Sequence, residues 1–570
     1  MKKVNLKKKK LFLIMNEKEK GMDNVYKLNI VNTNETKEFN KPIRLKEIMP
    51  NDKTYYCAKV NNRLRETNYI IDYEANIEFL DLTNYDSVRI YEATLRYLVA
   101  MIIHELDKDC DVVFNYSVSR SILVELKNTK IKIDNKFLNL LNSKLEEIVK
   151  KDYPITRKTV SKEEAINIYK EYHYLDKIKA LEYRKEDKVH LYECNNYLNY
   201  MYSYMAPSTG LINKFKFKLY NPGFIIQYPR SEANGNIPEF IDDHKFGLTL
   251  LEEKDWIDNV NGKTIASLND YIRENNLSDL VNMCETRHNN MLYEIKTQIK
   301  NNINNIRLIC VAGPSSSGKT TFTNRLRIEL MTSKIRPLMI SLDNYYLPKE
   351  QAPLDDEGNY DLEHIEALDI ELFNEQMLSL INGEEVSLPI FDFPTGKRIF
   401  QKPIKISKDT PILIEGIHAL NEQMTHLVPK HQKYKIYISP QPQYHIDYHN
   451  PISITDIRLI RRLVRDKQFR NTNAEETLAM WKSVRRGEFK WIYPYQENAD
   501  FIFNSELTYE LCVLKKYALP ALLNIKPDSE YFINANRLIK FLKYYDDIKD
   551  DYVPANSILR EFIGGSSYYI

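Results

Sequence analysis

Residues 313 to 320 read Gly-Pro-Ser-Ser-Ser-Gly-Lys-Thr. Glycines with four residues between them, followed by Lys and Thr, let a loop turn its backbone N–H groups inward around an anion. The Lys then adds a point charge and the Thr a hydroxyl for a hydrated cation. The chain has only 15 glycines in 570 residues, so the spaced pair stands out from its background. The apolar run Leu308, Ile309, Cys310, Val311, Ala312 leads in, and Thr321 to Leu330 continues as a helix with its positive end at the loop. Strand, loop and helix are expected in that order, with Gly313, Pro314, Ser315, Ser316, Ser317, Gly318, Lys319, Thr320 and Thr321 around the phosphates of a nucleotide.

Four segments downstream could turn phosphate binding into a reaction. Asp343 closes a strand over Leu338 to Leu342, and Asn359 to Asp369 follows. Next come Leu388-Pro-Ile-Phe-Asp-Phe-Pro-Thr-Gly-Lys-Arg398, a strand in Ile412-Leu-Ile-Glu-Gly-Ile417, and the arginine-dense helix Arg458-Leu-Ile-Arg-Arg-Leu-Val-Arg-Asp466. Phosphoryl transfer requires charge neutralised on the moving group and an acceptor hydroxyl held in line. Lys319 is expected to supply charge at the β- and γ-phosphates and Thr320 a hydroxyl ligand for Mg²⁺, with Glu415 placed to join it directly or through water. By residue type alone, Asp343 is open between turn former and base, Glu415 between metal ligand and solvated carboxylate, and the arginine helix between binding and a solvated face.

The rest of the chain bounds these readings. At 570 residues it exceeds a single core, so several domains are expected. With 81 basic and 79 acidic residues no global field selects nucleic acid or membrane. Six scattered cysteines without a Cys-x-x-Cys pair argue against a disulfide framework or thiolate zinc site and fit a reducing cytoplasm. Residues 1–23 carry eight lysines by position 20 and read as a disordered basic leader, with Met15 or Met22 as an alternative start. No run approaches the ~18 apolar residues of a membrane span.

The ordered segments resemble the uridine kinase and phosphoribulokinase family over about residues 306–525. The resemblance implies ATP and Mg²⁺ as cofactors, Asp343 as the base that receives the acceptor proton, and Asp361 with Arg462 gripping a cis diol. It further implies Arg465 and Arg470 in a lid over the phosphates, and Phe391 as an aromatic beside the acceptor's base. Gly396 departs from the pattern, because uridine-cytidine kinases carry a base-reading histidine there. Arg398 takes part of that role or pairs with Asp392. The activity implied is phosphorylation of a nucleoside 5′-hydroxyl, uridine first. The alternatives are a sugar-phosphate kinase similar to phosphoribulokinase, and an RNA-binding protein with a nucleotide switch.

Upstream, short alternating runs such as Tyr26-Lys-Leu-Asn-Ile read as a small β-rich unit, and helical patterns over Ser87 to His104, Asn135 to Lys151 and Lys162 to Tyr172 read as an α+β unit. Tyr153-Pro-Ile-Thr-Arg-Lys-Thr-Val-Ser and Ala206-Pro-Ser-Thr-Gly210 resemble the N-terminal region of threonyl-tRNA synthetases, a ubiquitin-like β-grasp domain followed by an editing domain. The four residues of the family's editing site are replaced here by Ala93, Tyr97, Met201 and Met205, and alanine and methionine can replace neither a hard-to-borderline metal ligand nor a proton carrier. Editing chemistry is therefore not expected, nor is aminoacylation, since no class II core follows. His104 and Cys194 read as structural. The fold expected is multidomain α/β and α+β. It comprises a β-grasp domain at 24–85, an editing-like domain at 86–280, a loop at Gly223 to Pro238, a connecting helix at 281–305, a P-loop kinase domain with a parallel sheet flanked by helices at 306–525, and a helical tail at 526–570. The partner expected is a small-molecule nucleoside, with no membrane. Contact with tRNA through the N-terminal units, and a homo-oligomer, stay open.

Overall fold

Leu308–Ala312 is buried along its whole length, which suits a central strand flanked on both faces. The computed structural model, which describes residues 25–274, 276–355, 357–392 and 395–568, places it in the middle of a five-stranded sheet. The order is Leu338–Ser341, Ile412–Glu415, Leu308–Ala312, Lys433–Ser439, Phe501–Asn504, with every neighbouring pair parallel. Helices cover both faces, so the strands' carboxyl ends form one edge, and Ser341, Glu415 and Val311 are in register there. The basic leader read at 1–23 lies outside the described residues.

The core on one face of this sheet includes many residues from outside the kinase-like segment. The helix Leu277–Asn301 buries Leu280, Cys284, Leu292, Ile295 and Ile299, a stripe at helical spacing, in the same core as Phe322 and Leu326 of helix Lys319–Met331. Helix Phe532–Leu542, through Leu538 and Phe541, and the turn Arg560–Ile563, through Phe562, join that core together with Ile558 just before the turn. The helix expected as a connector over 281–305 is thus a packing layer that starts at Leu277. Its apolar stripe needs a partner, and the P-loop helix is that partner.

The first unit is a five-stranded sheet with a parallel central pair, Tyr26–Ile30 beside Ala75–Leu80, around its own core of Leu28, Ile77 and Phe79. The second unit wraps two antiparallel sheets around helix Tyr85–Leu106, whose residues Ile90 to Ala100 are all buried. The loop expected over Gly223 to Pro238 is corrected in its first part: Gly223–Gln227 is a buried strand between Lys216–Tyr220 and Ile122–Lys127. Its Phe-Ile-Ile run is buried on both faces, so the turn signals of glycine and proline apply only at its ends. Ala93, Tyr97, Met201 and Met205 fill the interior beside the long helix, where the Tyr97 hydroxyl donates to the Tyr197 carbonyl at 2.6 Å. His104 lies against Tyr172 with ring centroids 4.5 Å apart, and burial lowers its pKa.

Residues 440–453 lock this unit to the kinase-like one. Lys177 and Asp447 pair at 2.6 Å, both almost fully buried, and His445 Nε2 bonds Asn115 Oδ1 at 2.7 Å. Asp176 accepts from the Tyr448 N–H at 2.7 Å. The same segment runs directly into the arginine helix. Among the described residues no helix is long and apolar enough to cross a membrane.

If Leu277–Asn301 is part of the kinase core, Ile295→Ala should lower unfolding free energy by about 2–5 kcal/mol, the usual cost of truncating a buried aliphatic. Denaturant unfolding checks this. A change within about 0.5 kcal/mol, as at surface sites, would show the helix to be peripheral.

Candidate active site

The loop leaves Ala312 at the sheet edge and enters helix Lys319–Met331 through Gly318, whose φ of +89° lies in the left-handed region open to glycine. Lys319 Nζ donates to the carbonyls of Gly313 at 2.9 Å and Pro314 at 3.2 Å, so the ammonium folds over its own loop. Burial lowers its pKa, against the pull of Glu415 and Asp343. The hydroxyls of Ser316, Ser317 and Thr321 are buried without a protein partner among the described residues, leaving the loop rich in available donors.

Three arginines on one helix hold this loop. In Ile454–Phe469, Arg458 donates through Nε and Nη2 to the Ser315 carbonyl at 3.2 and 3.0 Å. Arg461 Nη1 reaches the carbonyls of Ser316 and Ser317, each at 3.4 Å, and Arg462 Nη1 bonds Ser315 Oγ at 2.9 Å. Two of them are buried ion pairs as well: Arg458 with Glu488 and Arg461 with Glu510, all four side chains at most 1% exposed. The i, i+3, i+4 spacing of 458, 461 and 462 puts them on one face. Arg458 and Arg461 were not singled out from sequence; their spacing was visible, but their acids lie 30 and 49 residues away.

Asp343 follows Ser341, whose hydroxyl accepts from the Asp343 N–H at 3.3 Å and donates to Glu415 Oε1 at 3.0 Å. The strand expected to run to Leu342 ends at Ser341, because the Ser341 hydroxyl caps a 3₁₀ turn over Leu342–Tyr345 that carries Asp343; Ser341 thereby joins that turn to the strand end at Glu415, a role sequence reading missed. Asp343 keeps solvent-accessible surface, but the protein packed around it removes part of its hydration. This desolvation raises its pKa against the pull of Lys319, Arg470 and Arg465. Burial, and then Asp343, push Glu415 up to about 7. Lys319, Asp343, Glu415, Arg465 and Arg470 therefore form one electrostatic cluster. Thr320 opens the helix beside it, and a metal held by Thr320, Glu415, phosphate oxygens and water matches the few protein ligands that Mg²⁺ takes.

Asp361 is buried, and its Oδ1 takes the Glu363 N–H at 3.2 Å. Glu363, unremarked in the sequence, sits in the fields of Arg462, Lys319 and Asp361; burial, then Glu488, raises it to about 7. Arg462 also pairs with Asp466 at 3.1 Å, as does Arg465 at 3.0 Å. Phe391 lies 6.0 Å from Tyr346 between ring centroids, on the hairpin Pro389–Asp392 and Lys397–Phe400. The pairing of Arg398 with Asp392 is corrected. Arg398 bonds Asp369 Oδ2 at 2.8 Å, because the Asp369 carboxylate at the start of helix Ile370–Ile381 faces the hairpin, while Asp392 takes the Thr395 hydroxyl at 2.5 Å. Gly396 has φ +65°, and among the described residues nothing lies within 4 Å of a Cβ added there.

The Glu415 shift has a measurable consequence. An unfolded glutamate titrates near about 4.3, so the folded protein keeps a proton that the unfolded chain has lost between there and 7. Its contribution to stability is complete below about 4.3 and is lost as the pH rises towards 7. Glu415→Gln should gain stability over the parent progressively across that window in denaturant titrations. A difference that stays constant with pH would contradict the shift.

Residues 308–511 match the Phosphoribulokinase / Uridine kinase family. Uridine kinase from Borrelia duttonii is 31% identical over 206 residues, 35% of this chain and 85% of its own. Uridine kinase from Ureaplasma parvum serovar 3 is 28% identical over 194 residues, 34% of this chain and 85% of its own. A solved chain from Bacillus stearothermophilus, described as a possible uridine kinase, covers 36% of this chain and 100% of its own at 16% identity, with a TM-score of 0.24, too low to carry an argument. The matched segment holds the loop, Asp343, Asp361, Glu415 and the arginine helix, and through it the chain belongs to the phosphoribulokinase and uridine kinase family.

Proposed function

We propose that this protein is an ATP- and Mg²⁺-dependent nucleoside kinase that phosphorylates a 5′-hydroxyl, with uridine as its acceptor. The observation that carries the reading is the placing of Asp343, a carboxylate of raised pKa in the turn after Leu338–Ser341, within the field of the phosphate-loop Lys319. A more basic carboxylate is the better proton acceptor as the acceptor oxygen bonds to phosphorus. Bound Mg²⁺ supplies charge neutralisation at the phosphates. Lys319 adds to it, Arg465 and Arg470 reach towards the same charge, and Asp361 with Arg462 holds the sugar diol.

Base recognition rests on Phe391 and Arg398 without the histidine that Gly396 replaces. Glycine at 396 offers no side-chain donor to a base, which favours a second reading, a kinase for a sugar phosphate, whose acceptor has no base to recognise. The N-terminal units are proposed as a β-grasp domain and an editing-like domain that serve binding or assembly, and a cytoplasmic location fits the six free, buried cysteines.

Labelled ATP offered with nucleosides and with pentose phosphates separates the readings. Transfer to uridine is expected; transfer only to pentose phosphates would replace the nucleoside assignment. Asp343→Asn should keep ATP binding and lose about 10²–10⁴ in turnover. Near-normal turnover would remove Asp343 as the base.

A further inference from the structure

The C-terminal segment Val553 to Ser566 reaches back to the phosphate loop. Thr321, in the first turn of the P-loop helix, donates its N–H to Glu561 Oε2 at 3.0 Å, across 240 residues of chain. Glu561 is only 7% exposed. Ile558 packs on Gly318 so closely that a Cβ there would lie 2.4 Å from its Cγ2. Phe562 lies under the Arg461 guanidinium, 5.2 Å from ring centroid to Cζ. Ile558, Leu559 and Phe562 are buried, so the segment is anchored on both sides of Glu561.

First-turn N–H groups of a P-loop helix are the donors that cradle a nucleotide's phosphate chain. Glu561 puts a carboxylate on one of them, and its field reaches both Lys319 and Glu415. With Asp343 and Glu415, it is the third carboxylate around a single lysine. Two anions cannot both accept that N–H, and each repels the other at close range. A local helix cap would satisfy the amide without bringing a charge from the far end of the chain.

Resting on the nucleotide reading of the loop, we propose that Glu561 is a residue of the nucleotide site that lowers affinity. Its carboxylate holds the Thr321 N–H in the free protein and must leave for the triphosphate to seat. The anchors at Ile558 and Phe562 keep it poised to return when the nucleotide departs.

The test is calorimetric titration of the full chain with MgATP, comparing the parent with Glu561→Gln and Glu561→Asp. Gln removes the charge that repels phosphate, and Asp keeps the charge but is too short to keep the Thr321 bond. Glu561→Gln should bind about tenfold tighter, the scale of one charge-assisted hydrogen bond, and Glu561→Asp should gain less. Should Glu561→Gln not fold, a gain in Glu561→Asp alone still supports the role. If the parent binds MgATP and the folded variants bind no tighter, Glu561 is only a structural cap. If none of the three binds, the nucleotide reading fails and this inference with it.

Discussion

The contact on which the candidate site depends is the grip of one arginine helix on the phosphate loop. A loop built to surround an anion points its N–H groups inward and therefore turns carbonyls outward, and buried carbonyls need donors. Arg458 and Arg461 supply them at Ser315, Ser316 and Ser317, while Glu488 and Glu510 compensate the buried guanidinium charges. Guanidinium suits this place because its planar fork serves a carboxylate and a carbonyl together, which a lysine ammonium cannot do in fixed geometry. Such pairs stabilise little relative to apolar packing, but breaking one side leaves an uncompensated buried charge, which fixes the arrangement.

That helix also ties the loop to the rest of the chain. Its first turn carries Asp456, which pairs with Arg537 of the tail and with Arg89 of the second unit at 3.6 Å. The segment before it is bonded to Asn115, Asp176 and Lys177. The tail adds Ile558, Glu561 and Phe562. The kinase-family segment is about a third of the chain, yet its sheet is roofed and its loop fastened by what lies on either side.

Much of this was legible in the residues. The loop motif with its preceding apolar run announced strand, turn and helix in the order found, and the helix read over Asn135 to Lys151 has the same bounds in the structure. Local chemistry decided those elements. What could not be read depends on distant partners. Gly223–Gln227 looked like a loop because its turn residues are local, whereas its two neighbouring strands are not. For Arg398 the sequence offered the nearby Asp392 as one alternative, a structural partner, whereas the fold brings Asp369 to it. Glu363 and Glu561 are ordinary acids in the sequence, and burial beside other charges makes them notable.

The central claim, that the arginine grip holds the loop in its nucleotide-ready shape, is tested most directly by Arg461→Lys. Lysine keeps the charge for Glu510 but lacks the fork that also reaches the loop carbonyls. The account predicts that this folded variant binds MgATP at least about tenfold more weakly by calorimetry, the loss of roughly one charged hydrogen bond. Unchanged affinity would contradict it.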